Sequence, residues 1–114
     1  MAARLAPVLR VRDAATAAAW YARLGFQIDW EHRFEPHLPA YVAIALDDAR
    51  IHLSEHRGDA ERKAGLIYLH VPDLGAAAAA LGVGPEQIEQ APWGRDFEVT
   101  DPDGNRVRIG EAAG

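Results

Sequence analysis

Leu9-Arg10-Val11-Arg12-Asp13 and, later in the chain, Leu69-His70-Val71-Pro72-Asp73 decide the fold. Each alternates as a half-buried strand does, and each ends in an Asp whose carboxylate can cap the first turn of a helix. After Asp13, Ala17, Trp20, Tyr21 and Leu24 recur at helical spacing, and Gly25 can take the left-handed position that ends a helix. After Asp73, Leu74, Ala77, Ala78 and Leu81 repeat the pattern and Gly82 ends it. The Ala-rich faces of both helices suit close packing on a sheet.

Three strands are expected after each helix. In the first half they run Phe26–His32, Tyr41–Leu46 and Arg50–Glu55, with Asp47-Asp48 as a hairpin turn. In the second half they run Ile88–Ala91, Arg95–Thr100 and Arg106–Gly110. Asp101-Pro102-Asp103-Gly104 joins the last two, with Pro at the first central turn position and Gly where φ turns positive. The chain thus repeats βαβββ, as one module over about 5–58 and another over about 64–111 of a single domain. The predicted fold class is α+β, paired βαβββ modules forming a curved mixed sheet with an open trough. A helix covers only one face of each module, so the other is left for a ligand or a partner.

The 114 residues suffice for one domain, and 49% hydrophobic with 25% charged residues is ordinary for a globular chain. Without Cys there can be no disulfide, thiolate metal site or Cys nucleophile, which fits a reducing compartment. Met1-Ala2-Ala3-Arg4-Leu5 lacks the apolar run of a signal peptide and no segment is long enough to span a bilayer, so a cytoplasmic protein without membrane partners is expected. The net charge of −5 is unevenly placed. Residues 1–58 hold seven Lys/Arg and seven Asp/Glu, whereas residues 59–114 hold five and ten. An acidic half disfavours nucleic acid and mildly favours a cationic small molecule, although it also serves solubility.

Strand alternation sorts side chains onto two faces. Leu9, Val11, Ile51, Leu53, Ile67, Leu69, Val107 and Ile109 are expected beneath the helices. Val8, Arg10, His52, Ser54, Leu66, Tyr68, His70, Arg106 and Arg108 share the opposite face, a polar and aromatic mixture suited to a partly wet trough or a dimer seam. Trp30 and Tyr41 are read as core. Arg95, Arg106 and Arg108 could bind a carboxylate, but pairing with nearby Asp and Glu is the simpler expectation. Trp93, between Pro92 and Gly94, sits on irregular backbone where a flat aromatic can stack on a ligand or anchor its loop. Ser54, the lone serine, lies within a strand rather than at a strained elbow, and no Gly-rich phosphate loop is present.

With Leu-x-Val-x-Asp at both half starts, Pro92-Trp93-Gly94-Arg95-Asp96-Phe97, and Asp101-Pro102-Asp103-Gly104-Asn105, the chain resembles the vicinal oxygen chelate superfamily over about Pro7 to Glu111. That superfamily includes glyoxalase I, extradiol dioxygenases, and fosfomycin- and bleomycin-resistance proteins. The Pro-Trp-Gly-Arg block is most similar to the bleomycin-resistance branch. The resemblance implies a homodimer with ligand clefts between subunits, and a non-catalytic role in sequestering an aromatic antibiotic and conferring resistance. It implies Trp93 and Phe34 as the two stacking residues; the trough-facing His52, Ser54, Tyr68 and Arg108, with Arg95 and Phe97 beside Trp93, are expected as further ligand contacts.

The superfamily's enzymes hold a divalent metal with four His/Glu ligands, whose positions fall here on Ala6, His52, Leu66 and Arg108. Only His52 can bind a metal, whereas a catalytic site needs about three protein ligands. No metal, cofactor or catalytic residue is therefore expected. His52 and His56, read on one strand, would stand about 13 Å apart, too far to share an ion. The alternatives are a metal-dependent lyase, isomerase or dioxygenase using His52 with His32 or His37, or a binder of some cellular metabolite.

Overall fold

The computed structural model describes residues 3–60 and 65–111. Its first half runs β1 (Val8–Arg10), α1 (Ala14–Ala22), β2 (Gln27–His32), β3 (Tyr41–Leu46) and β4 (Ala49–Ser54). Its second half runs β5 (Leu66–Val71), α2 (Leu74–Ala80), a 3-10 turn (Pro85–Gln87), β6 (Glu89–Ala91), β7 (Gly94–Thr100) and β8 (Arg106–Glu111). The expected α+β architecture is present as two open, four-stranded mixed sheets, ordered β1-β4-β3-β2 and β5-β8-β7-β6. In each, the first strand pairs in parallel with the last and the others are antiparallel. The expected start of the second module, Ala64, lies outside the described residues.

Local chemistry accounts for the boundaries. The Asp13 carboxylate accepts from the backbone N–H groups of Ala15 and Thr16, and Asp73 accepts from that of Ala76, so both strands turn into helices as anticipated. Gly25, with φ of +104°, ends the first helical segment in a conformation that costs glycine little. Between Ile28 and Trp30 the β2–β3 register shifts. This bulge matters, because an extra residue moves everything beyond it to the other face.

One hydrophobic cluster joins both halves. Leu9, Val11, Ile51 and Leu53 from the first sheet and Leu69, Val107 and Ile109 from the second are all buried in it, together with Tyr21 of α1 and Leu74 of α2. These are the sheet residues assigned to the core by alternation, and Ile67 packs against the same cluster.

A polar clasp also crosses between the halves. Asp101, only 5% exposed, accepts four hydrogen bonds: Oδ1 from the backbone N–H groups of Asp103 (2.8 Å) and Asn105 (2.9 Å), and Oδ2 from the Tyr21 hydroxyl (2.7 Å) and the Asn105 amide (2.9 Å). The Asn105 amide also donates to the Arg10 carbonyl at 3.1 Å, and the Arg12 backbone N–H donates to Asp103 at 2.9 Å. The Asp-Pro-Asp-Gly-Asn turn therefore holds α1 and the end of β1 against the second sheet. Burial first, and then the Asp101 charge, push the Tyr21 phenol well above its usual range.

Tyr21→Phe removes one donor from this carboxylate and should cost about 1–3 kcal/mol in urea unfolding; Asp101→Ala, which strands several buried donors, should cost more. A group whose folded pKa is raised contributes its stability below the unfolded pKa. Stability of the wild-type chain should accordingly fall as pH rises past about 10, where the unfolded phenol ionises and the buried one does not. This loss should be smaller in Tyr21→Phe.

Candidate functional site

The second sheet's open face carries a built polar and aromatic group. Gly94 adopts φ of +137°, which turns the chain sharply into β7 and leaves the Trp93 ring 62% exposed. Along β7, Phe97 and Val99 pair with Ile109 and Val107 on the helix side, so Asp96 and Glu98 take the open face. Asp96 is only 7% exposed. Its Oδ2 accepts from the Tyr68 hydroxyl at 3.0 Å and more weakly from the Trp93 indole Nε1 at 3.4 Å. Tyr68 can lie flat here because position 110 is glycine: a Cβ there would collide with the phenol. Burial and the Asp96 hydrogen bond push the Tyr68 phenol up, opposed by Trp93 and Arg108.

Glu98 completes this group. It accepts from Arg106 at 2.9 and 3.0 Å and from Arg108 at 2.9 Å. These guanidinium contacts hold its carboxyl below the usual carboxylate range. Trp93, Asp96, Glu98, Arg108 and Glu89 line a cleft of about 620 Å³. A cavity of about 600 Å³ at the seam between the halves is lined by leucines and alanines together with Arg23, Asp47, Asp48, His70 and Asp73. It has no aromatic platform, and its Asp73 is engaged as the cap of α2. The chemistry converges in the first cleft.

The first sheet carries a separate aromatic group. Trp30 stacks on Tyr41 with ring centroids 5.8 Å apart and planes 12° apart, and His52 stands edge-on to both at 5.3 and 5.2 Å. The Tyr41 hydroxyl and His52 Nδ1 lie 2.7 Å apart. The assignment of Trp30 and Tyr41 to the core is corrected: the β2 bulge pairs Trp30 with Ala43, which shares a face with Tyr41, and leaves Trp30 45% exposed. Their core neighbours on β3 are Val42 and Ile44 instead.

Three of the expected ligand contacts are engaged within the chain itself. Phe97 is buried in the core opposite Ile109, while also bordering the cleft beside Asp96. Ser54 is fully buried; its hydroxyl donates to Asp59 at 2.7 Å and accepts from the His56 backbone N–H. Arg95 shares the parity of Phe97 at the strand's end and forms a two-pronged pair with Glu111 at 2.7 and 3.3 Å. Trp93, Tyr68 and Arg108 do come together. Phe34 is exposed and meets His32 edge-on at 4.5 Å. Among the described residues no aromatic contact joins Phe34 to Trp93.

Position by position, the superfamily metal set does not fit this chain. Ala6 and Leu66 have no donor atoms, Arg108 is a cation engaged with Glu98, and His52 meets the Tyr41 hydroxyl. His56 does not continue the strand of His52: β4 stops at Ser54, and both imidazoles flank the Tyr41 ring. Among the described residues no group of three or more His, Asp or Glu could hold a metal ion. None of their helices is long and apolar enough to cross a membrane.

Asp96 is the site residue that the sequence reading missed. Its signal was present, since it occupies the position between Arg95 and Phe97 that alternation assigns to the open face. As pH falls, the Glu98 pairs should survive through the ordinary carboxylate range and be lost only once pH passes the depressed value. A carboxyl-detected NMR titration checks this, and in Arg106→Gln the midpoint should move back up.

The model of a family described as "Glyoxalase superfamily protein" matches residues 1–114. No curated protein matches the chain in sequence. Among solved structures, a bleomycin resistance determinant encoded on transposon Tn5 aligns with a TM-score of 0.73 at 23% identity, covering 97% of this chain and 98% of that one. A bleomycin-binding protein in complex with bleomycin aligns with 0.71 at 24% identity, covering 96% and 98%. An antibiotic-binding protein from Streptomyces sp. CB03234 aligns with 0.71 at 22% identity, covering 98% of each chain. At these identities the likeness is one of fold.

Proposed function

The chain belongs to the glyoxalase superfamily, and from that premise we propose that it is a non-catalytic binding protein that sequesters a flat aromatic antibiotic of bleomycin type and so confers resistance. The observation that carries this reading is the exposed Trp93 ring, set by Gly94 at the mouth of a cleft of about 620 Å³ beside a buried carboxylate. A site of this kind offers ring contact and one polar anchor, the usual composition of a small-molecule cleft. Metal-assisted chemistry finds little support at the superfamily's ligand positions, where only His52 offers a metal-binding atom.

Protection would follow from mass action, because drug held by the protein cannot reach its target. The reading includes a cytoplasmic homodimer. Within one chain Trp93 and Phe34 stand on loops of different halves and make no aromatic contact. A two-fold partner would place the Phe34 of one copy over the Trp93 of the other and give two equivalent sites.

Calorimetric titration with bleomycin tests the proposal. The wild-type chain should bind it, and Trp93→Ala should weaken binding about two- to twelvefold or more, the worth of one aromatic contact beyond area burial. Because Trp93 is exposed, the unfolding midpoint should change little. Equal affinity in the two proteins would overturn the stacking role.

A further inference from the structure

Among the described residues, Asp96 is the one buried carboxylate that is both half-satisfied and open to a cleft. Asp101 accepts two hydrogen bonds on each oxygen. On Asp96, both protein donors, Tyr68 and Trp93, converge on Oδ2, and among the described residues nothing donates to Oδ1. Oδ1 is not a buried orphan but keeps access to the cleft, so it stands there as an open acceptor. The surroundings supply no cation for it. The cleft holds Glu89, Asp96 and Glu98 against the single guanidinium of Arg108, which Glu98 already engages at 2.9 Å. Among the described residues neither Asp96 nor Glu89 has an ion-pair partner. The two acids also face each other in the β6–β7 register.

We infer that Asp96 is the specificity-determining residue of this cleft: its Oδ1 receives an in-plane N–H of a planar, cationic heteroaromatic whose face lies on Trp93. The inference rests on the binding reading above and narrows its ligand class to flat rings carrying a protonated or amino-substituted edge. The geometry explains why one carboxylate can do this. The indole Nε1 that reaches Asp96 ties the stacking surface to the acid, and Tyr68, held flat over Gly110, fixes the carboxylate from the other side. A ligand that stacks on Trp93 therefore meets a preset acceptor at its rim. Preorganisation of this kind favours a cation over a neutral ring of equal size, because only the cation recovers the charge-assisted bond.

Two dyes of the same tricyclic outline separate the contributions: proflavine, a planar cation with in-plane amino groups, and acridine, neutral and without donors at mildly alkaline pH. Binding is read by tryptophan quenching and calorimetry on the intact protein. The wild-type chain should prefer proflavine by about tenfold or more. In Asp96→Asn the ratio of the two affinities should fall to near one. If Asp96 only props Trp93 and Tyr68, both dyes should weaken together and the ratio should persist; that result, or no preference in the wild type, overturns the inference.

The reading beneath it fails differently. If Trp93→Ala leaves both dyes unaffected, ring contact is wrong, whatever Asp96 does. If Trp93→Ala weakens both dyes while Asp96→Asn keeps the ratio, the binder stands and the Asp96 assignment falls. Should Asp96→Asn fail to fold, the carboxyl carbon resonance of Asp96 in the wild-type chain decides. It should shift with proflavine and not with acridine, and equal shifts or none would overturn the inference.

Discussion

Four hydrogen bonds onto one buried carboxylate hold this molecule in its arrangement. Each βαβββ half could satisfy its own strands, but neither helix covers enough sheet to make a separate core, and the hydrophobic cluster is continuous across both halves. Apolar contact alone has no direction. Asp101 supplies it, because Tyr21 can reach Oδ2 only with α1 seated against the turn that follows β7, and Asn105 simultaneously fastens the end of β1. A charge in so dry a place is tolerable only when its acceptor positions are filled. The turn that looks like a simple β7–β8 connection is thus the element that orients the two halves.

Asp96, on β7, is the counterpart of Asp101, which stands just past the end of that strand. Both are buried acids, yet one is filled on both oxygens and the other on a single oxygen. The difference follows from the faces they occupy: Asp101 points into the seam between the halves, where donors of both crowd it, and Asp96 points to the face that no helix covers. Open sheet faces are where this fold keeps its unspent polar groups. The aromatic group of Trp30, Tyr41 and His52 lies on the corresponding face of the first sheet, and the two groups do not touch within one chain.

Much of this was legible because period and punctuation are local. The alternation at Leu9–Asp13 and Leu69–Asp73, the capping carboxylates, and the helix-ending Gly25 all act over a few residues, and all appear in the structure where they were expected. So do the sheet residues of the core and the outward Tyr68 and Arg108. The misplacements have separate origins. Trp30 lies just beyond a bulge, which the sequence does not announce and which turns it to the open face. Phe97 and Arg95 were taken as ligand contacts from the motif that contains them, against the alternation that puts Asp96 on the open face. Ser54 has trough parity, but the chain folds back over it, so Asp59 and the backbone of His56 consume its hydroxyl.

By itself, then, the sequence determined the repeated βαβββ order, the faces of regular strands, the exposed Trp93 loop and the lack of ligand donors at three of the superfamily's four metal positions. Each of these depends on residue identity or on spacing within a single element. Tertiary structure alone decided that Tyr21, Asp101 and Asn105 meet across the seam, that a bulge turns Trp30 outward, and that Trp93 and Tyr68 share one oxygen of Asp96. Those facts join residues tens of positions apart, and a hydrogen bond depends on where its two ends stand in space, which no local period records.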